Sequence, residues 1–331
     1  MISLGTLAAG VLATVDERGV VHRAGASLSW RVVGSDARAR VSRPDAAPVA
    51  EVAVRVPHGD AIARAYAVDD VVIVDVENAS PEAIAVAFTY DGHEVCSWSR
   101  PVGAIEPDGA HVFPVPHRTS VRVALADRSV DGRGQPDHAA AVRAWVRLLD
   151  RGMHTELPEP LQHEIDCARA DALLAPPSAA TFVVLEAWGF DREAAAMWER
   201  LGLRARRAAR RDAPTGFLLS TRDALVREVA RRVEVLPGFR RAWLGQSIAV
   251  HDAPLRKGRA SFAVRWHGAR PALLWDVPAG MTVRAPALDP TFVSTEPVGE
   301  TLLAEPAASL LPMGERLPVG GTAVEPPEQF A

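Results

Sequence analysis

Between Gly10 and about Leu125 the sequence keeps a period of two and never settles into a period of 3.6, and this limits the possible folds more than any other feature. The runs GVLATV, VVHR, SLSWRVV, VAEVAVRV, DAIARAYAV, VVIVDVEN, EAIAVAFTY and HVFPVPH follow one another, broken by turn residues such as DERG and with no helical stretch between them. Strands spaced so closely, with no helix to carry a parallel crossover, predict an antiparallel β-sandwich. Within it, Val72, Val74 and Val76 alternate with Ile73, Asp75 and Glu77. Asn78 to Pro81 supplies turn residues, and Ile84, Val86 and Phe88 mark a returning strand, so this stretch predicts a hairpin inside one sheet. Asp127 to Pro136, rich in Gly, Asp and Arg, reads as a domain boundary.

The period changes at Asp137, which stands where a helix N-cap is expected, with Val142, Trp145, Val146 and Leu149 on one face. Leu161, Ile165, Ala168 and Ala172 form a second stripe, stopped by Pro176 and Pro177. Ser178 caps a third segment that runs through Trp188. Gly189 ends it and Asp191 caps the next, a connection short enough to force a helical hairpin. Leu225, Val226, Val229 and Val233 predict a further helix over Ser220 to Val235. From Leu236 the period of two returns, and SFAVRWHGARPALLWDVP reads as a β-hairpin turning at Gly268 to Pro271, with Phe262, Val264, Trp266, Leu273, Trp275 and Val277 on its apolar face. The expected fold is therefore multidomain α+β: an N-terminal antiparallel β-sandwich over 1–131, a partial layer of helical hairpins over 132–235 and a small C-terminal β-domain over 236–306. A loosely ordered Pro- and Glu-rich tail is expected over 307–331.

The 331 residues, 48% hydrophobic and 24% charged, suit a folded multidomain chain, and a net charge of -4 supplies no bulk attraction to nucleic acid or anionic lipid. No apolar run approaches the ~18 residues of a spanning helix, so no membrane partner is expected. MISLGTLAAGVLATVDERG lacks a basic start and meets Asp16 and Glu17 early, which predicts a first strand rather than a secretory leader, and hence a cytoplasmic protein. Cys96 and Cys167 show no zinc-ligand spacing, and whether they meet stays open. His111 and His117 lack an identifiable third ligand. Phosphate-binding glycine loops, the nucleophile-elbow serine and the paired-histidine zinc motif are all missing, so no cofactor and no metal is expected.

WVRLLDRGMHTELPEPLQHEIDCARADALL looks like the passage from β-sandwich into first helical hairpin of the six-hairpin glycosidases, the glucoamylase-like and glycogen-debranching-like enzymes. LPGFRRAWLGQSIAVHDAP together with SFAVRWHGARPALLW looks like the β-domain that closes their toroid of twelve helices. The resemblance implies carbohydrate chemistry, but twelve helices of about 11 residues with loops of about 5 need roughly 190 residues, and Asp137 to Val235 offers about 100. The expectation is a reduced helical layer and a protein related to carbohydrate metabolism without catalysis of its own. A module that holds a protein partner through Arg200 to Arg211, and a glycoside hydrolase whose cleft a second chain completes, are the alternatives.

Glycoside cleavage needs two facing carboxylates. Glu156 and Glu159 lie on a Pro-bounded loop before a helix, where the competing reading is a first-turn charge favoured by the helix dipole. Glu186, beside Trp188 in VVLEAW, is either a buried acid or the outer face of an amphipathic helix. Arg265, His267 and Asp276 form the polar face of the hairpin, and with Trp188 they are the binding candidates. Trp30, Trp98, Trp188, Trp198, Trp243, Trp266 and Trp275 offer sugar-stacking rings, against the reading that large aromatics build cores. If Gly202 does not interrupt the helix, Arg200, Arg204, Arg207 and Arg211 form one cationic stripe. Without interleaved base-stacking residues that stripe suits solvent or a protein partner more than nucleic acid. The expected partners are an oligosaccharide or a protein, with self-association allowed.

Overall fold

The computed structural model describes residues 1–91, 95–100, 109–131, 134–211, 216–307 and 311–312, with backbone alone at 95–96 and 210–211. It is a multidomain α+β chain with six helices among the described residues. The chain divides into two compact units, Met1–Leu149 with Arg169–Pro176, and Asp150–Ala168 with Pro177–Ala331. The reading of a loose tail over 307–331 falls outside the described residues except at Ala307, Leu311 and Pro312.

In the first unit, β1 (Ile2–Thr6), β2 (Gly10–Val15), β3 (Val21–Arg23), β4 (Ala26–Val32), β9 (Ile84–Asp91) and β11 (His111–Val115) form one sheet in that order. A second sheet runs β10 (Val95–Trp98), β12 (Ser120–Ala126), β8 (Val71–Asn78), β7 (Gly59–Val68), β6 (Ala50–Val56) and β5 (Arg40–Ser42). Every pairing in both sheets is antiparallel. Leu4, Val15, Leu28, Phe88 and Phe113 of one sheet share a core with Val52, Ala63, Val74 and Val123 of the other, which is the sandwich expected from alternating apolar residues.

The predicted hairpin over Val71 to Phe88 is not one. β8 lies in the second sheet and β9 in the first, so the chain crosses between layers. Asn78 governs the crossing. Its Nδ2 donates to the carbonyls of Glu82 (2.7 Å) and Val115 (2.9 Å), and its Oδ1 accepts from the Ser80 N–H (2.9 Å) and Ser80 Oγ (2.8 Å). Turn residues mark where a strand ends, and the side-chain bonds made there decide to which sheet the chain goes.

α1 (His138–Leu149) begins where Asp137 Oδ1 accepts the Ala140 N–H at 2.7 Å. Tyr66 on β7 meets His138 edge-on, and its hydroxyl donates to the Pro136 carbonyl at 3.0 Å. Burial pushes the Tyr66 hydroxyl pKa far up and the Asp75 and Asp137 carboxylates add to this, against the opposing pull of Arg122. Arg122 donates to Asp75 at 2.8 Å and to the Gln135 carbonyl at 3.0 Å.

α2 (Leu161–Leu174) passes from the second unit into the first at Ala168 and Arg169. In the second unit α3 (Ala179–Ala187) is capped by Ser178 Oγ, which accepts the Thr181 N–H at 3.0 Å. It ends at Gly189, whose φ of 75° is left-handed territory open to glycine. α4 (Asp191–Arg200) follows immediately, completing the expected helical hairpin, with Phe190 rather than Asp191 in the cap position. The backbone of Leu201 then turns extended and α5 (Leu203–Arg211) starts afresh, so Arg200 belongs to a different helix from Arg204 and Arg207. The continuous cationic stripe is thereby broken.

α6 (Phe217–Leu225) stops ten residues before the predicted end. Val226, already extended, opens a hairpin of β14 (Val226–Val229) and β15 (Arg232–Val235), with Val226 opposite Val235. The helical period and the strand period both fit Val226, Val229 and Val233, and β-branched side chains favour the strand once a partner is present. β15 pairs in parallel with β19 (Thr282–Ala285), which pairs with β20 (Asp289–Ser294). The remaining sheet runs β13 (His154–Glu156), β16 (Ile248–Leu255), β17 (Gly258–His267), β18 (Arg270–Asp276) and β21 (Val298–Leu302). The hairpin of β17 and β18 turns at Gly268 and Ala269, and the predicted face is in register, with Phe262 opposite Trp275 and Val264 opposite Leu273.

Candidate functional site

Three helices of the second unit enclose a cleft of about 600 Å³. Phe182 and Glu186, four residues apart on α3, face it from one side. Asp191, Ala194, Ala195, Trp198 and Glu199 of α4 line the other, and Ala209 of α5 contributes to the wall. The space exists because Ala194, Ala195 and Ala209 stop at Cβ where larger side chains would fill the gap between helices.

The aromatic wall is a tilted pair, Phe182 and Trp198, with centroids 4.8 Å apart and planes at 46°. The Arg206 guanidinium carbon lies 5.2 Å from the Trp198 ring centroid, a cation–π contact. Two of its nitrogens are spent on backbone: Nε donates to the Leu201 carbonyl at 2.9 Å and Nη2 to that of Glu199 at 3.2 Å. Asp191 is bound by Arg259 at 2.5 Å. Glu186 and Glu199 are exposed, and no hydrogen bond or ion pair to their carboxylates is found among the described residues. The cleft thus sets three carboxylates against a wall of alanine methyls and aromatic carbon, with the guanidinium groups of Arg206 and Arg259 engaged at its border.

The other candidates lie elsewhere. Trp188 is fully buried, and its indole N–H donates to the Leu218 carbonyl at 3.1 Å, so it is core and offers no ring to a ligand. Glu156, at the end of β13, is exposed and 3.6 Å from His251 Nε2. Glu159 is exposed and accepts the His163 N–H of the first turn of α2 at 3.4 Å, the role that the helix-dipole reading gives it. Arg265, His267 and Asp276 are exposed on β17 and β18. Arg265 stands opposite Ala272 while Asp276 stands opposite Ser261. Four residues of strand, about 13 Å, therefore separate Asp276 from Arg265, and the three do not converge.

Of the predicted acids only Glu186 lies in the cleft. Asp191 and Glu199 were missed, although the spacing of Ala194, Ala195, Trp198 and Glu199 carries a signal: small residues one turn before an aromatic and an acid leave a hollow beside them. Trp266 is half-buried and donates to the Gln246 carbonyl at 2.8 Å, and Trp275 is buried and donates to the Glu296 carbonyl at 2.9 Å. Among the described residues no group of three or more His, Cys, Asp or Glu side chains is arranged to hold a metal ion. The question of a Cys96–Cys167 contact lies outside the described residues, since the Cys96 side chain is not among them. No helix among the described residues is long and apolar enough to cross a membrane. No protein-family model, curated protein or solved structure matches this chain.

Proposed function

We propose that this chain is a carbohydrate-binding protein of reduced six-hairpin glycosidase-like layout, without hydrolysis of its own, and that the cleft of α3, α4 and α5 receives the sugar. The order of elements along the chain, from sandwich strands through six helices to further strands, supports the likeness. The observation that carries the reading is the placing of Glu186, Asp191 and Glu199 around the Phe182–Trp198 pair in one cleft. A sugar presents hydroxyls, each donor and acceptor at once, and C–H faces. Carboxylates accept from the hydroxyls, and apolar walls cover the C–H surface.

The same residues support binding over cleavage. A glycosidase acid is a carboxyl held out of water so that it keeps its proton, whereas Glu186, Asp191 and Glu199 are all exposed, and Asp191 is tied to Arg259. Thermal shift against a panel of α-glucans and other oligosaccharides tests the reading. A bound sugar at 100 times its Kd adds about 2.7 kcal/mol, and Trp198→Ala should abolish the shift. A flat response across the panel refutes carbohydrate binding. Release of reducing sugar would instead favour the hydrolase alternative. A protein-binding face on α5 is a second reading, favoured by Leu203, which is 73% exposed beside the exposed Arg204 and Arg207. Leu203→Asp in a pull-down from lysate, followed by reconstitution with the purified partner, tests that reading.

A further inference from the structure

We propose that the first unit holds a second, separate small-molecule site, taking an organic cation with an apolar body, in the slot between α1 and the end of β7. The slot has a volume of about 300 Å³, room for on the order of ten heavy atoms at ~30 Å³ per water-sized unit. Ala140, Ala141 and Ala144 of α1 form one wall, with Trp145 and Leu148 beside them, and the end of β7 at Ala67 and Val68 forms the other. A native core fills such a gap, because interiors pack densely and an unfilled hollow forfeits contacts on every side. The alanines of α1 leave this one open.

Among the described side chains that line the slot, Thr6 brings a hydroxyl, Trp145 an indole N–H and Asp69 the one ionisable group. The Thr6 hydroxyl is already engaged, donating to the Asp69 carbonyl at 3.1 Å and accepting from the Ala9 N–H at 3.3 Å. The turn that joins β7 to β8 carries two carboxylates. Asp70 is neutralised by Arg128, at 3.2 Å. Asp69, exposed and held in the left-handed region at φ 51°, has no cation against its carboxylate among the described residues. The slot therefore combines apolar walls with one lining residue, Asp69, whose negative charge meets no ion-pair partner among the described residues. The matching ligand is an amine on a short aromatic or alkyl body. An anionic ligand of the same shape would meet repulsion, and a neutral one would gain only the walls.

Calorimetric titration with three probes of one shape tests this: phenethylammonium, 2-phenylethanol and phenylacetate. The expected order is cation, neutral, anion, with up to about fivefold between cation and neutral, the upper end for one exposed ion pair. Asp69→Asn should remove the advantage of the cation and leave 2-phenylethanol unchanged. Because Asp69 sits on an exposed turn, that variant carries the test even if a wall variant unfolds. Ala144→Phe, checked for unchanged hydrogen exchange at the amides of α1 and β7, should abolish binding of all three. Absence of binding by all three probes at millimolar concentration, equal binding of phenylacetate and phenethylammonium, or binding that survives Ala144→Phe would each overturn the proposal.

Discussion

Gly299→Ala adds one methyl group to β21, and the structure says where it goes. Gly299 stands directly opposite Trp275 across the β18–β21 pair. A Cβ at this position would press on Cζ2 of the indole and come within 2.8 Å of Cη2 and 2.9 Å of Cε2. The ring cannot swing away cheaply. Its N–H is bonded to the Glu296 carbonyl at 2.9 Å, the ring packs against Phe292 at a centroid distance of 5.4 Å, and the residue is only 6% exposed. Overpacking of this kind costs about 1–3 kcal/mol, and tearing the indole from its carbonyl adds about 1 kcal/mol, so a loss near 3 kcal/mol is expected. Trp275→Phe removes the ring atoms that the methyl would strike. In that background Gly299→Ala should cost under about 1 kcal/mol, a coupling of roughly 2 kcal/mol. Because the chain has two compact units, a single unfolding midpoint is a poor measure, and hydrogen exchange at the amides of β18 and β21 reads the local free energy directly. An equal cost of Gly299→Ala in both backgrounds would refute the steric account.

Two further perturbations probe the crossing in the sandwich and a turn in the second unit. Asn78→Asp keeps the shape but deletes both donors to Glu82 and Val115 and sets a carboxylate against two carbonyls, so the first unit should lose at least about 3 kcal/mol, read by exchange at β8 and β9; a loss below about 1 kcal/mol would mean that Asn78 does not hold the crossing. Burial raises the Asp289 carboxyl, but the N–H groups of Ala304, Thr291 and Phe292 and the Thr291 hydroxyl outweigh it and hold the pKa below the ordinary 3.8. The folded state therefore gains stability above pH 3.8 and loses it as the pH falls through the lower folded value. Asp289→Asn should flatten the fall of local stability as the pH drops below 3.8, measured by acid titration of the Phe292 and Ala304 amide signals, and an unchanged slope would count against this assignment.

Local rules, and what overrides them, explain how much of this protein could be read from its chain. The sandwich strands, the Asp137 and Ser178 caps, the Gly189 hairpin and the apolar register of β17 and β18 all followed from periods, caps and turn residues. Each is set by interactions within a few residues, which the sequence states directly. The break at Leu201 falls beside Gly202, the position the sequence had left open, whereas the layer that β9 joins and the strand fate of Val226 to Val235 were decided by pairing, with β4 and β11 for the one and with β15 and the distant β19 for the other. The acidic cleft belongs to the same class. Glu186 was legible as a candidate acid, but Asp191 and Glu199 became its neighbours only when α3 packed on α4. The slot beside Asp69 likewise needs α1 laid over β7, about 70 residues earlier in the chain. Sequence alone fixes which faces are apolar and where elements end, because those are local costs of burial and backbone geometry. Only the tertiary structure decides which faces meet and what hollow their small residues leave, because that is a contest among non-local contacts of similar free energy.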